Sequence, residues 1–292
     1  MPTLVLSSPA KLNLVLDVLG KRPDGFHELR TIFERIDLAD TIKLTSRADG
    51  KIKVICSHPH VPKGPKNLVV KIAQKLKNDF GITKGVTIEI TKRIPVAAGL
   101  AGGSSNGATV LMGLNRLWKL KLQQKQLLAY ASAIGSDVAF FIYNTPFALG
   151  EGRGEKIRVL PIRTKLWHVL VTPKVKVYTK DVFGRLNAPR LGAKIKLTTK
   201  KDNVSILLPF LRGGLSSEIG HSLSNDLEPA ILSLRPDFLG LKSKLSDAGS
   251  IGVCFSGSGP SVFALARSKK HAGQIKAQFD QRYAQVFVVG TL

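Results

Sequence analysis

Apolar and polar positions alternate along several short runs of the chain. Leu12, Leu14, Leu16 and Val18 recur at every second residue, the period of a half-buried strand over Leu12–Leu19, and Thr3–Leu6 reads as a shorter strand before it. The pattern predicts further strands over Thr31–Ile36, Thr41–Thr45, Lys51–Cys56, Gly85–Thr91 and Leu166–Thr172. Helical spacing takes over elsewhere. Leu68, Val69, Ile72, Ala73 and Leu76 form one stripe within Asn67–Phe80, where Asn67 is a fitting N-cap. Val110, Leu111, Leu114, Leu117 and Trp118 form another within Ala108–Trp118. Gln123–Gly135, Pro236–Ala248 and His271–Tyr283 read as helices; Ile251–Phe255, Ser261–Arg267 and Ala284–Val289 read as strands. Val175–Leu186 places Thr179 and Phe183 on one helical face, Pro161–Arg163 is a hinge, and Arg185–Lys201 is basic and irregular, a lid or a connection.

The stretch Lys92–Ala108 joins a strand to a helix through a glycine loop. Gly99, Gly102 and Gly103 let backbone approach a ligand closely, and Ser104 and Ser105 fall where an N-cap is expected. Free amides at the positive end of a helix make an anion site, most naturally for phosphate. No Lys follows the glycines as in a Walker loop, and the glycine spacing is not that of a dinucleotide fingerprint.

Other residues carry chemistry more faintly. Lys11 follows a proline at a strand start, which on its own reads as a solvated edge, and Asn13 points away from the leucine face. The turn Gly20–His27 ends in Phe26 and His27, an aromatic face and a hydrogen-bonding ring that also suit a packed loop. Asp137 lies between a helix end and an apolar run; it is a turn or cap residue, or a poorly solvated carboxylate of the kind a general base requires. Ser256-Gly257-Ser258-Gly259-Pro260 is a glycine hairpin. Asp226 and Glu228 read as a helix start sooner than as metal ligands, and His58-Pro59-His60 lacks a third ligand nearby and reads as a loop.

The totals narrow the class. A chain of 292 residues with 43% hydrophobic content builds a real core, in one large domain or two. Two cysteines, Cys56 and Cys254, make neither a disulfide framework nor a zinc site and point to a reducing cytosol. No leader and no run of membrane-spanning length stands out. The charge of +24, from 44 Lys and Arg against 20 Asp and Glu, raises a polyanionic partner. The basic residues are spread along the chain without a stacking ladder, so specific nucleic-acid binding is not expected.

Pro95 to Ala108 resembles the phosphate loop of the GHMP kinases, and Pro-Ala-Lys-Leu-Asn-Leu, Asp-Gly-Phe-His and Ile-Gly-Ser-Asp-Val resemble further segments of one branch, which acts on a cytidine diphosphate derivative. That branch usually has Gly at Ala101, Ala at Gly107 and Pro at Ala139. The resemblance implies an α+β, two-lobed fold. Its ATP-binding N-terminal lobe, residues 1–160, would resemble ribosomal protein S5 domain 2, and residues 161–292 would form an α/β sandwich for the substrate, with both ligands bound in the cleft. It implies a cytoplasmic kinase, monomer or homodimer, using ATP and Mg²⁺. Asn67 and Lys92 would flank the adenine, and Pro95, Gly99, Leu100, Ala101, Gly102, Gly103, Ser104 and Ser105 would surround the phosphates. Asp137 would take the proton of the acceptor hydroxyl, with Lys11 in contact with that hydroxyl and Asn13 beside it. Phe26 and Phe183 would sandwich the cytosine, His27 would bond its edge, Thr179 would line the same site, and Gly257 would complete the phosphate cage. Another small-molecule member of the family, of homoserine or mevalonate type, is the enzyme alternative; a nucleic-acid-binding protein on an S5-like fold is the other.

Overall fold

The apolar alternation at the start of the chain produces two long strands, β1 (Thr3–Lys21) and β2 (His27–Arg47), joined by the Pro-Asp-Gly turn. These coordinates are a computed structural model, and they describe residues 1–186, 202–279 and 285–292. The basic stretch expected as a lid or connection lies outside the described residues from position 187 to 201, and so does 280–284. Each long strand was expected as two short ones. β1 runs through Pro9, and at Lys11 the peptide N–H bonds to Leu100 O at 3.2 Å, so the loop supplies a hydrogen-bonding partner there. β2 runs through Asp37-Leu38-Ala39-Asp40, because both carboxylates accept from buried backbone rather than closing a turn.

The described residues fall into two compact units, and β1 and β2 each contribute to both. The first takes Met1–Ala10, Leu38–Val96 and Ala101–Thr145. Here β3 (Ile52–Cys56) pairs parallel with β4 (Gly85–Thr91), which pairs antiparallel with the second half of β2, Thr41 opposite Thr91. Four helices accompany this sheet: α1 (Leu68–Asp79), α2 (Gly102–Leu117), α3 (Gln124–Ile134) and α4 (Val138–Ile142). The predicted stripe of α1 is its buried face, Val69, Ile72, Ala73 and Leu76. Burying a Val, Ile or Leu is worth about 1.5–3 kcal/mol each, so packing outweighs the Asn67 cap, worth about 1 kcal/mol. α2 lies close on the sheet: a Cβ at Gly113 would come within 2.4 Å of Leu44 and 2.8 Å of Leu6.

The second unit takes Lys11–Asp37, Ala97–Leu100 and, so far as described, Pro146–Leu292. β5 (Phe147–Gly152) pairs antiparallel with the first half of β2 and with β6 (Lys156–Leu160). After β7 (Trp167–Thr172) come α5 (Thr179–Leu186), α6 (Asn203–Gly213), α7 (Ser216–His221) and the short β8 (Ser224–Asn225), parallel to β1. α8 (Glu228–Leu234), α9 (Phe238–Asp247), β9 (Gly252–Phe255), β10 (Val262–Ala266), α10 (Lys269–Ala277) and β11 (Gln285–Gly290) follow. Four strands form an antiparallel sheet in the order β11-β7-β10-β9. Val169, Val171, Val262, Ala264, Phe255 and Phe238 lie in one core cluster with Leu241, Leu245 and Ile275. One mixed and one antiparallel sheet with accompanying helices agree with the α+β expectation. Among the described residues no helix is long and apolar enough to cross a membrane.

Candidate active site

In the first unit the glycine loop becomes α2 earlier than expected. The helix starts at Gly102, and Ala101 is the cap residue, in the left-handed region at φ 52° with no side-chain cap bond. Ser104 and Ser105 are therefore inside the first turn, not at the cap, because two glycines can enter the helix without needing side-chain room. The first intrahelical bond is Ser105 N–H to Ala101 O at 2.9 Å, which leaves the amides of Gly102, Gly103 and Ser104 at the positive helix end. A Cβ at Gly103 would meet nothing within 4 Å, so that space is open. Ser104 is half-buried, whereas the buried Ser105 hydroxyl bonds Ser8 Oγ at 2.9 Å.

Behind this helix end lies a buried polar cluster. Asp40 Oδ1 accepts from the peptide N–H groups of Arg93 (2.8 Å) and Ile94 (2.9 Å). Its Oδ2 pairs with the Lys92 ammonium and accepts from Asn106 Nδ2 at 2.9 Å. Asn106 Nδ2 also reaches Ser8 Oγ at 2.9 Å. One carboxylate thus fastens the entry of the loop to the N-terminal half of α2, and the Lys92 ammonium is engaged with it. Asp40 was missed in the sequence. Its signal was a carboxylate in step with the buried Leu38, Ile42 and Leu44 on one face of a strand. Asn67 caps α1, accepting from Val69 N–H at 3.1 Å while its amide donates to Pro62 O at 2.6 Å. Pro95 is buried. Asp137 stands, half-buried, at the start of α4, whose five residues are all buried.

The second unit brings Lys11, Asn13, Gly99, Leu100 and Gly257 together. The Lys11 ammonium bonds Asn13 Oδ1 and Gly99 O, the latter at 3.1 Å, and lies 5.5 Å from the centre of the Phe33 ring. Lys11 is only 4% exposed, so the solvated-edge reading does not hold. Gly99 is in the left-handed region at φ 74°, and a Cβ there would fall 2.0 Å from Ser256 O, so only glycine fits. Ser256 Oγ donates to Gly99 O at 3.0 Å, and Asn225 Nδ2 holds Gly257 O at 2.7 Å. The Ser256–Pro260 hairpin is thereby tied to the loop residue that Lys11 contacts.

The aromatic residues group differently from a Phe26–Phe183 pair. The ring facing Phe183 is that of His27, 5.0 Å between centroids and tilted by 32°. Phe26, 52% exposed, lies under the Arg153 guanidinium at 4.9 Å. Thr179 Oγ1 and Ser258 Oγ share a hydrogen bond of 2.8 Å. Asp226 Oδ2 accepts from Val18 N–H at 2.8 Å and Glu228 pairs with Lys242, both structural roles. Among the described residues no group of three His, Cys, Asp or Glu side chains could hold a metal. Both cysteines are free and buried; burial pushes the Cys254 thiol up to about 12, so it is no nucleophile at neutral pH.

Comparison with known proteins gives the family. Residues 67–145 match the GHMP kinases N-terminal domain, and residues 208–285 match the GHMP kinases C-terminal domain. The 4-diphosphocytidyl-2-C-methyl-D-erythritol kinase of Exiguobacterium sibiricum is 39% identical over 290 residues, covering 99% of this chain and 98% of that protein. The enzyme of the same name from Bacillus velezensis is 41% identical over 281 residues, covering 95% and 94%. A crystal structure of 4-(cytidine 5'-diphospho)-2C-methyl-D-erythritol kinase superposes with a TM-score of 0.78 at 29% identity, covering 98% of each chain. Homoserine kinase from Cytophaga hutchinsonii, at 24% identity, covers 100% of this chain and 95% of its own with a TM-score of 0.75, a likeness of fold. With the glycine loop opening a helix, both domains matched in order and relatives similar along nearly the whole length, this chain belongs to the GHMP kinase family.

Proposed function

We propose that this chain is an ATP-dependent kinase that phosphorylates the 2-hydroxyl of 4-diphosphocytidyl-2-C-methyl-D-erythritol, a step of non-mevalonate isoprenoid precursor synthesis in the cytoplasm. The observation that carries the reading is full-length similarity to relatives of that name, 39% over 99% of the chain. The uncapped start of α2, with open space at Gly103, supports ATP as the phosphate donor. In this reading residues 1–160 hold ATP and also supply Lys11, Asn13, Phe26, His27 and Asp137 for the acceptor, and residues 161–292 supply the remaining acceptor contacts. The loop from Pro95 to Ser105 surrounds the phosphates, with Asn67 and Lys92 on the adenine side.

Phosphoryl transfer is chiefly positioning plus charge stabilisation. Asp137 takes the proton of the acceptor hydroxyl. Lys11, oriented by Asn13 and Gly99 O, holds the hydroxyl in place. The half-buried Ser104 hydroxyl would hold Mg²⁺, a hard cation that favours oxygen ligands and needs no carboxylate cage. When bound, it spreads the phosphate charge. His27, Phe183, Thr179 and Gly257 serve the cytidine diphosphate moiety, with Phe26 as a second aromatic surface.

Steady-state kinetics with ATP and each of three acceptors tests this: the cytidine diphosphate substrate, homoserine and mevalonate. Turnover of the first is expected, with Asp137→Asn lowering kcat by roughly 10²–10⁴-fold at near-normal ATP affinity. Preferred turnover of homoserine or mevalonate would leave only the family reading standing.

A further inference from the structure

We infer that Thr31 is a positioning residue for the Lys11 ammonium, acting through Asn13; this rests on the reading of Lys11 as catalytic. Thr31 lies on β2 and is 1% exposed. Its Oγ1 donates to Val15 O at 2.5 Å and accepts from Asn13 Nδ2 at 2.8 Å. A hydroxyl has one proton, and a peptide carbonyl has none to give. The Thr31 proton is therefore committed to Val15 O, and its oxygen is left to accept. Asn13 must then turn its NH₂ toward Thr31 and its carbonyl oxygen the other way.

That oxygen is the atom the Lys11 ammonium contacts. An ammonium donates and never accepts, so it requires an oxygen there. Both ends of the chain Val15 O, Thr31, Asn13, Lys11 demand the same amide orientation, so the assignment of oxygen and nitrogen follows from the network. With the Thr31 hydroxyl gone, the Lys11 ammonium alone sets the amide, and the NH₂ loses the acceptor it has at Thr31. A flipped amide would set N–H groups against the ammonium, and an unflipped one would leave a buried donor unsatisfied. Thr31 does not touch Lys11 in this chain of bonds. Its hydroxyl sets the direction in which Asn13 points.

The test is a double-mutant cycle read by kcat and by KM for each substrate. Thr31→Val is expected to lower kcat roughly tenfold with KM for ATP within about twofold, and Thr31→Ser, which keeps the hydroxyl, to restore kcat to within about threefold of wild type. In an Asn13→Ala background, which has no amide to orient, Thr31→Val should lower kcat no further. Thr31→Ala lacks the hydroxyl as well and reads the same quantity if the valine variant does not fold. An equal loss from Thr31→Val in both backgrounds, or wild-type kcat in a variant lacking the hydroxyl while Lys11→Met is inactive, overturns the inference. Full turnover by Lys11→Met overturns instead the reading on which it rests.

Discussion

β2 buries two carboxylates, Asp40 and Glu34, and they hold different things. Asp40 accepts from two loop peptides and from Asn106, the fifth residue of α2, and pairs with Lys92. Every partner belongs to the glycine loop or its flanks. Glu34 accepts from Thr291 Oγ1 at 2.7 Å and pairs with His168 Nε2 at 2.8 Å. His168 lies on β7, edge-on to Phe263 at 5.4 Å, and Thr291 follows β11 and accepts from Leu166 N–H at 2.8 Å. These partners are sheet and chain end, and neither is a proposed ligand contact. Burial alone would rank both carboxylates as functional candidates, since buried polar groups so often are. The partners separate them: Asp40 shapes the glycine loop proposed to bind phosphate, and Glu34 pins strands.

Removing Asp40 should produce the largest effect. Asp40→Ala strands the Lys92 charge in a buried site and leaves two peptide N–H groups without their acceptor. Breaking a buried pair by deleting one partner costs about 3–5 kcal/mol. Asp40→Asn keeps one oxygen for the Arg93 and Ile94 amides, costs less, and is the variant for kinetics. KM for ATP should rise by about threefold or more while KM for the acceptor stays put. An Asp40→Asn enzyme that loses stability in urea yet keeps its KM for ATP would make Asp40 a structural residue like Glu34, and the contrast would collapse.

Glu34→Gln is the counterpart. The amide keeps one acceptor for Thr291 but weakens the contact with His168, so a loss of about 1–3 kcal/mol is expected by urea denaturation. Both KM values should remain those of wild type at temperatures where the variant is folded. A selective change in KM for either substrate would show that the pinned strands report to the site after all.

A smaller change comes from Gly107 in α2, where the resembled branch usually has Ala. A Cβ there would lie 3.1 Å from Ile72 Cδ1 and 3.7 Å from Leu68 Cβ. The close atom is the far end of a flexible side chain, which can turn aside. Gly→Ala in a helix gains about 1 kcal/mol. Gly107→Ala should therefore raise stability by somewhat under about 1 kcal/mol, with kinetics unchanged. A loss would mean that α1 and α2 are packed too tightly there for even a methyl group.

Periodicity made the helices legible: the stripe of α1 and its Asn67 cap appear as expected, and so does the strand, loop and helix order around Gly99–Gly103. The resemblance supplied Lys11 and Asn13, whose residue types alone suggested a solvated edge. Asp40, Thr31 and Glu34 were not legible as a set, because a polar residue within a strand looks alike whether it faces water or a buried partner. Their partners lie far off in sequence: Asp40 with Asn106, Glu34 with Thr291, Thr31 with Asn13 across β1 and β2. The start of α2 was misplaced for a related reason. Two serines announce a cap by composition, whereas the left-handed Ala101 announces nothing, since Ala enters that region at a cost of about 1–2 kcal/mol.

The smallest effect on stability should accompany a complete loss of nucleotide binding. Gly103 sits in the first turn of α2, with no heavy atom outside its chain neighbours and the helix's own backbone within 4 Å of the place a Cβ would occupy, and no left-handed backbone to strain. A side chain there disturbs no described neighbour, and Gly103→Val should shift the urea midpoint by an amount equivalent to no more than about 0.5 kcal/mol. The same side chain would occupy the space over the free amides, where a phosphate must come to within hydrogen-bond distance of backbone. ATP should then raise the melting temperature of wild type but not of Gly103→Val, because only a ligand that binds the folded state stabilises it. Gly99→Ala is the control with opposite sign. Its Cβ meets Ser256 O at 2.0 Å, so stability falls before any question of binding arises. A Gly103→Val variant that folds and still takes ATP with wild-type affinity would place the phosphates elsewhere. Asp40 would then be left shaping a loop with no ligand, and its difference from Glu34 would need another cause.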